Sequence, residues 1–193
     1  VLEIACGAGQ GLGLLARSAR TVQGGDYTES LVRLAREHYG TRFPLYRLDA
    51  HRLPFRDGSF DVVILYEALY YMRDPDEVFG EFRRVLRPEG LVLLSLPNKS
   101  LPDFHPSPLS VGYFTPPELV CRMAPAGFHV EFYGDTPVRY NSFRGHLVSL
   151  LKTAIVKLNL MPRTLRGREI LKRLVYGALM PIPAELDENQ YSY

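Results

Sequence analysis

A chain of 193 residues with 46% hydrophobic and 23% charged residues is long enough for one domain with a sizeable core and too apolar for global disorder. Two cysteines, Cys6 and Cys121, exclude a disulfide framework and a cysteine-based zinc cluster, and no apolar run reaches the roughly 18 to 20 residues of a membrane span. The net charge of +2 hides a partition: the stretch from Arg139 to Gly177 carries +8 and the remainder −6, an asymmetry that can mark an anionic partner.

Val1 to Ala5 is a short apolar run with one acid, a buried-strand candidate that runs into a turn with glycines at 7, 9 and 11. Because Val1 already sits in a strand pattern and no initiator Met is present, we expect a chain that lacks part of its N-terminal portion. A helix to about Ser18 follows. Thr21 to Gly25 reads as a second strand, and Thr28 caps a helix to about His38 with Leu31, Leu34 and Ala35 at helical spacing. Leu45 to Leu48 is a third strand, and Phe60 to Tyr66 is nearly all apolar, as a central parallel strand should be. Asp74-Pro75 begins a helix with Val78, Phe79, Phe82, Val85 and Leu86 on one face, and Arg87-Pro88-Glu89-Gly90 stops it before a strand from Leu91 to Leu96. Strands alternating with helices imply right-handed βαβ units. The fold class is therefore α/β, a Rossmann-like, mostly parallel sheet with helices on both faces.

The second half is less regular. Six prolines between Pro97 and Pro117 mark a long connection, and Thr115-Pro116-Pro117-Glu118 starts a helix ending near Pro125. Phe128 to Tyr133 alternates like a strand, and two helical stretches follow over about 141–160 and 165–179. Residues 1–138 are thus expected to form the α/β domain and 139–193 a basic helical C-terminal extension packed on it. In the last helix Leu171, Leu174, Val175, Ala178 and Leu179 form an apolar stripe with Lys172 and Arg173 off it. It reads either as a helix packed on the body or as a contact with an anionic membrane surface or a phosphorylated, lipid-linked acceptor.

In open α/β sheets ligands collect beyond the carboxyl ends of the strands. Three features fall there: the glycine turn after the first strand, Asp26 after the second and Asp49 after the third. The turn presents backbone N–H groups, and an acid after the second strand can accept from ribose hydroxyls. Counting from Gly7, a dinucleotide fingerprint would end in glycine where this chain has Leu12, and no Gly-Lys-Ser/Thr follows the turn as a triphosphate loop requires.

The series Val1-Leu-Glu-Ile-Ala-Cys-Gly-Ala-Gly, Gly25-Asp26-Tyr27-Thr28, Leu48-Asp49-Ala50, Leu53-Pro54-Phe55, Gly58-Ser59-Phe60-Asp61 and Glu81-Phe82-Arg83-Arg84-Val85-Leu86-Arg87-Pro88-Glu89-Gly90 resembles the class I S-adenosylmethionine-dependent methyltransferases, in particular the small-molecule group of ubiquinone and menaquinone biosynthesis. The likeness covers Val1 to about Asn98. Ala5 stands where that family usually has the first loop glycine, and Glu89 where it has the second glycine before the fifth strand. The resemblance implies S-adenosyl-L-methionine as cofactor and no metal. It implies that Glu3 orients the loop and approaches the methionine amino group, with the backbone of Ala5, Gly7 and Gly9 beside it. Asp26 would hold the ribose, Tyr27 would flank the adenine, Asp49 and the Ala50 N–H would meet the adenine edge, and Tyr66 would sit near the reactive methyl group.

Methyl transfer to a hydroxyl needs a general base, whereas a carbon or amine acceptor needs little help. Glu67, Tyr70 and His105 are the candidates, His105 foremost, while Tyr71, Phe104, Tyr113 and Phe114 join Tyr66 and Tyr70 as an aromatic lining. No Asn-Pro-Pro-aromatic motif follows the fourth strand and no cysteine follows a proline, which disfavours nucleic acid as acceptor and leaves a small-molecule, sugar or lipid-linked one. The expected setting is cytoplasmic, with a peripheral membrane contact through the basic helices. An NAD-dependent oxidoreductase and a non-catalytic cofactor-binding domain are the alternatives.

Overall fold

A computed structural model describes residues 1–99, 104 and 106–133; His105, the basic stretch and both expected C-terminal helices lie outside them. The chain divides into two compact units, and every element below lies in the first, built from Val1–Ser100 and Pro106–Glu131.

Five parallel strands form one sheet in the order β3-β2-β1-β4-β5: β1 (Leu2–Ile4), β2 (Gln23–Asp26), β3 (Leu45–Arg47), β4 (Phe60–Tyr66) and β5 (Leu86–Ser95). Helix α1 (Leu12–Ser18) follows β1, α2 (Glu29–Tyr39) follows β2, α3 (Pro75–Val85) joins β4 to β5, and α4 (Pro116–Met123) follows the proline-rich connection. Two separate apolar clusters mark two covered faces. Leu2 and Ile4 pack with Val63, Leu65 and the inner side of α3, whereas Cys6, Leu12, Val32, Ala35 and Leu45 form the other cluster with α1 and α2. Side chains alternate along a strand, so Glu3, between Leu2 and Ile4, faces the α1 side.

Helix α3 shows how local sequence sets the architecture. The Asp74 carboxylate accepts from the N–H groups of Asp76 and Glu77, Pro75 occupies the first turn, and Val78, Phe79, Phe82 and Val85 are fully buried. Leu86, expected on the helix, is instead the first residue of β5 and pairs with Phe60. Pro88 has no N–H to return to the Arg84 carbonyl four residues back, and that carbonyl accepts from the Gly58 N–H at 3.0 Å. At α4 the Thr115 side chain and Glu118 form a reciprocal capping box.

The expected strand over Phe128 to Tyr133 is absent. Phe128 and Val130 do pack against the core while His129 and Glu131 are exposed, so the alternation holds, but no neighbouring strand among the described residues completes a ladder.

Candidate functional site

Strand order reverses between β1 and β4, and a cavity of about 940 Å³ opens there along the C-terminal edge of the sheet. Ala5 and Gly7 line it from the first loop, Asp26 and Tyr27 from the end of β2, Asp49 and Ala50 from beyond β3, and Tyr66 and Glu67 from the end of β4. Leu31 and Leu48 add apolar wall, and Tyr71, Met72, Arg73, Asp74 and Glu77 close the side toward α3. Nine residues expected from the sequence, Tyr71 included, therefore meet in one space, while Glu3, Gly9 and Tyr70 stand outside its wall.

Asp26 ties two elements together. Its Oδ2 accepts from the Gly7 N–H at 3.0 Å and its Oδ1 from the Thr28 N–H at 2.8 Å, so one buried carboxylate fixes the first loop and the entry to α2. Each carboxylate oxygen keeps a second lone pair for a ligand. Ala5 has φ +57 and Gly7 φ +59, a left-handed pair that bends the backbone into the cavity. Gly9, which is not in the cavity wall, packs on Tyr39. Its φ is +87, its carbonyl accepts from the Tyr39 hydroxyl at 2.9 Å, and a Cβ there would lie 2.9 Å from the Tyr39 ring, so it holds the loop against α2.

Glu3 lies behind the loop. A Cβ on Gly11 would sit 2.8 Å from Glu3 Oε1, and Oε2 is buried with no hydrogen-bond partner. Burial raises its carboxyl from an ordinary value of 4.5 to about 7. Between these values the folded protein holds a proton that the unfolded chain has released. This contribution to stability is therefore complete below 4.5 and disappears as pH rises through about 7. Its size is on the order of 3 kcal/mol. Urea unfolding of the ligand-free protein should show stability falling across this window, and Glu3→Gln should remove the slope; a wild-type profile as flat as the variant's would mean that Glu3 is already ionised in the fold.

Beyond β3, Asp49 Oδ1 accepts from the His51 backbone N–H at 3.0 Å and pairs with His51 Nδ1 at 2.7 Å. These hydrogen bonds, the backbone one foremost, hold the Asp49 carboxyl below its ordinary range. His51 also lines the cavity, and its Nε2 accepts from the Asp74 N–H at 3.4 Å. Sequence reading missed His51, although Asp-x-x is the signature of a side chain that accepts from the backbone two residues on.

At the end of β4, Glu67 holds φ +52, a conformation rare for residues with a Cβ. Its N–H donates to the Ser95 carbonyl at 3.0 Å, the Ser95 hydroxyl donates to Oε1 at 2.9 Å, and the Tyr70 hydroxyl meets Oε2 at 3.5 Å. Tyr70 stacks on Tyr113 with centroids 4.8 Å apart, and its carbonyl accepts from Val111, so it anchors the proline-rich connection. Burial, with Tyr71 and Glu67 nearby, raises its phenol well above the usual range. Phe114 packs against the core, its ring 5.4 Å from the Arg122 guanidinium, and only Tyr66 and Tyr71 of the expected aromatic lining face the cavity.

Residues 2–94 match the family described as a methyltransferase domain. A Mycolicibacterium smegmatis protein named a probable S-adenosylmethionine-dependent methyltransferase is 36% identical over 140 residues, 68% of this chain and 52% of that protein. The phthiotriol/phenolphthiotriol dimycocerosates methyltransferase 1 of Mycobacterium ulcerans is 38% identical over 96 residues, covering 48% of this chain and 35% of its own length. The chain thus spans about half or less of these relatives. The YcgJ protein of Bacillus subtilis shares the fold, with a TM-score of 0.64 at 19% identity over 88% of this chain and 80% of that one. No helix among the described residues is long and apolar enough to cross a membrane.

Proposed function

Since residues 2–94 belong to the class I S-adenosylmethionine-dependent methyltransferases, we propose that the protein methylates a hydroxyl of a neutral small-molecule, sugar or lipid-linked acceptor. The observation that carries this reading is the shared cavity, with the Asp26 and Asp49 carboxylates at one side and Glu67 at the other.

The residues present fit the cofactor. Asp26 offers acceptors for two ribose hydroxyls, Asp49 one for the adenine amino group, and Ala50 a backbone N–H. Leu31, Leu48 and Tyr27 supply apolar and aromatic surface for a flat base, and the left-handed Ala5 to Gly7 backbone leaves room for the methionine part. Glu3, buried behind the loop with an unpartnered oxygen, offers a hydrogen-bond acceptor whose ionised form a nearby ammonium group would favour. When bound, S-adenosylmethionine supplies an electrophilic methyl group, which leaves orientation and proton removal to the protein.

Glu67 takes the proton role in this reading, in place of His105. Glu67 lines the cavity, and its carboxylate is held by the Ser95 and Tyr70 hydroxyls. Tyr66 and Tyr71, 65% and 46% exposed, offer ring faces on which an acceptor can lie. The M. ulcerans relative, named for dimycocerosate acceptors, and the +8 charge between Arg139 and Gly177 both favour a lipid-linked acceptor.

Calorimetry should show S-adenosylhomocysteine binding and no NAD binding. A screen with methyl-labelled cofactor across hydroxylated lipids, glycosides and quinols should place the label in a methyl ether. Label on carbon would overturn the hydroxyl assignment, and no binding of S-adenosylhomocysteine would overturn the reading as a whole.

A further inference from the structure

The paired His51 and Asp49 lie beyond the end of β3, and both line the cavity wall. Both hydrogen bonds from His51, one from the backbone and one from the ring, converge on the same oxygen, Oδ1 of Asp49. Among the described residues, Asp49 Oδ2 therefore has no protein donor, and it is the oxygen left for a ligand. The ring is fixed at its far side as well, because the Asp74 N–H points at Nε2. A neutral imidazole with its proton on Nδ1 satisfies both contacts at once: it donates to Asp49 and accepts from Asp74. Asp74 in turn caps α3 through Asp76 and Glu77, so the ring is braced against a helix terminus and not against a loose loop.

A carboxylate held in this way is an acceptor only. It rewards a ligand edge that carries an N–H and rejects one that carries a carbonyl, because two acceptors would then face each other in a confined space. We propose that His51 is the positioning residue that makes the cavity select the exocyclic amino group of adenine over a carbonyl at the same place. The inference rests on the assignment of the cavity to S-adenosylmethionine and concerns its selectivity.

Two probes separate the outcomes: S-adenosylhomocysteine, and S-inosylhomocysteine, in which a carbonyl replaces the amino group. Wild type should bind the adenosyl compound about 30-fold or more tightly than the inosyl one. His51→Ala should weaken the adenosyl compound about tenfold and leave the inosyl compound nearly unchanged, so that the preference collapses. His51→Asn, whose amide N–H can stand in for Nδ1–H, should restore most of it. Thermal melts of the variants report folding separately, and should His51→Ala not fold, the Asn variant carries the test, since a loss of preference there would contradict the role. A purely structural His51 would weaken both ligands alike; a wild-type preference retained in His51→Ala overturns the inference while leaving the function intact. Wild type that binds neither compound overturns both.

Discussion

Asp26→Ala should weaken S-adenosylhomocysteine binding by about a hundredfold or more, the largest loss expected from any single change on the cofactor side. Two effects add. The first is the direct loss of an acceptor for the ribose hydroxyls, which the site assignment gives to this carboxylate. The second is already visible without a ligand: the N–H groups of Gly7 and Thr28 both donate to Asp26, and alanine leaves neither with its acceptor. The first loop would then keep only its backbone tie to β2, from the Cys6 N–H to the Gly25 carbonyl, so the remaining wall would be less well ordered for the ligand. The stability cost of the two unsatisfied donors is about 1–3 kcal/mol, because Asp26 is only 8% exposed and water reaches the gap poorly. Asp26→Asn should fall between, since its amide keeps one acceptor oxygen and places a donor against the other N–H. Calorimetry and melting curves on the same samples separate the two effects. Binding within threefold of wild type in a folded Asp26→Ala, a difference of only about 0.7 kcal/mol, would remove this residue from the site.

The sequence patterns that proved most informative were those with a backbone cause. Ala5 and Glu89 stand where the family has glycine, and both adopt left-handed backbone, φ +57 and +62, so each departure marks a real conformational demand met by a residue with a Cβ. The Leu53-Pro54-Phe55 and Glu81 to Arg84 segments, read separately, turn out to be one feature. Arg84 donates to the carbonyls of Leu53 and Phe55 and pairs with Glu81, whose carboxylate accepts from the Leu53 N–H. Apolar runs located β1, β4 and the latter part of β5, and periodicity the helices with one apolar side, although Leu91 and Leu93 of β5 are exposed. Periodicity could not foresee that Leu86 leaves α3, because helix termination depended on a distant N–H from Gly58. Nor could it distinguish Gly7 from Gly9, two residues apart, of which one lines the cavity and the other packs on Tyr39. Side-chain partnerships such as His51 with Asp74 and Glu67 with Ser95 join segments 23 and 28 residues apart, and no local pattern encodes them.

At the acceptor side, Glu67→Gln and Glu67→Gly should both lower turnover about a thousandfold, within the range that loss of a general base produces, with little change in stability, for a different reason in each. Glutamine keeps the left-handed backbone and the acceptor for the Ser95 hydroxyl, so its fold should resemble the wild type while its amide cannot take a proton. Glycine removes the side chain and with it the contacts to Ser95 and Tyr70, but relieves a φ of +52 that costs a residue with a Cβ about 1–2 kcal/mol. These opposing terms should leave Glu67→Gly about as stable as wild type, with S-adenosylhomocysteine affinity unchanged in both variants. That combination is the one expected of strain kept for the proposed proton role of Glu67, whose φ of +52 is held although glycine would adopt it at lower cost. The measurement is single-turnover transfer from labelled cofactor to the acceptor found by screening, with melting curves alongside. Full turnover in Glu67→Gln would mean that no hydroxyl proton passes to this carboxylate, and the acceptor atom would then have to be one that needs no base, a carbon or a neutral amine.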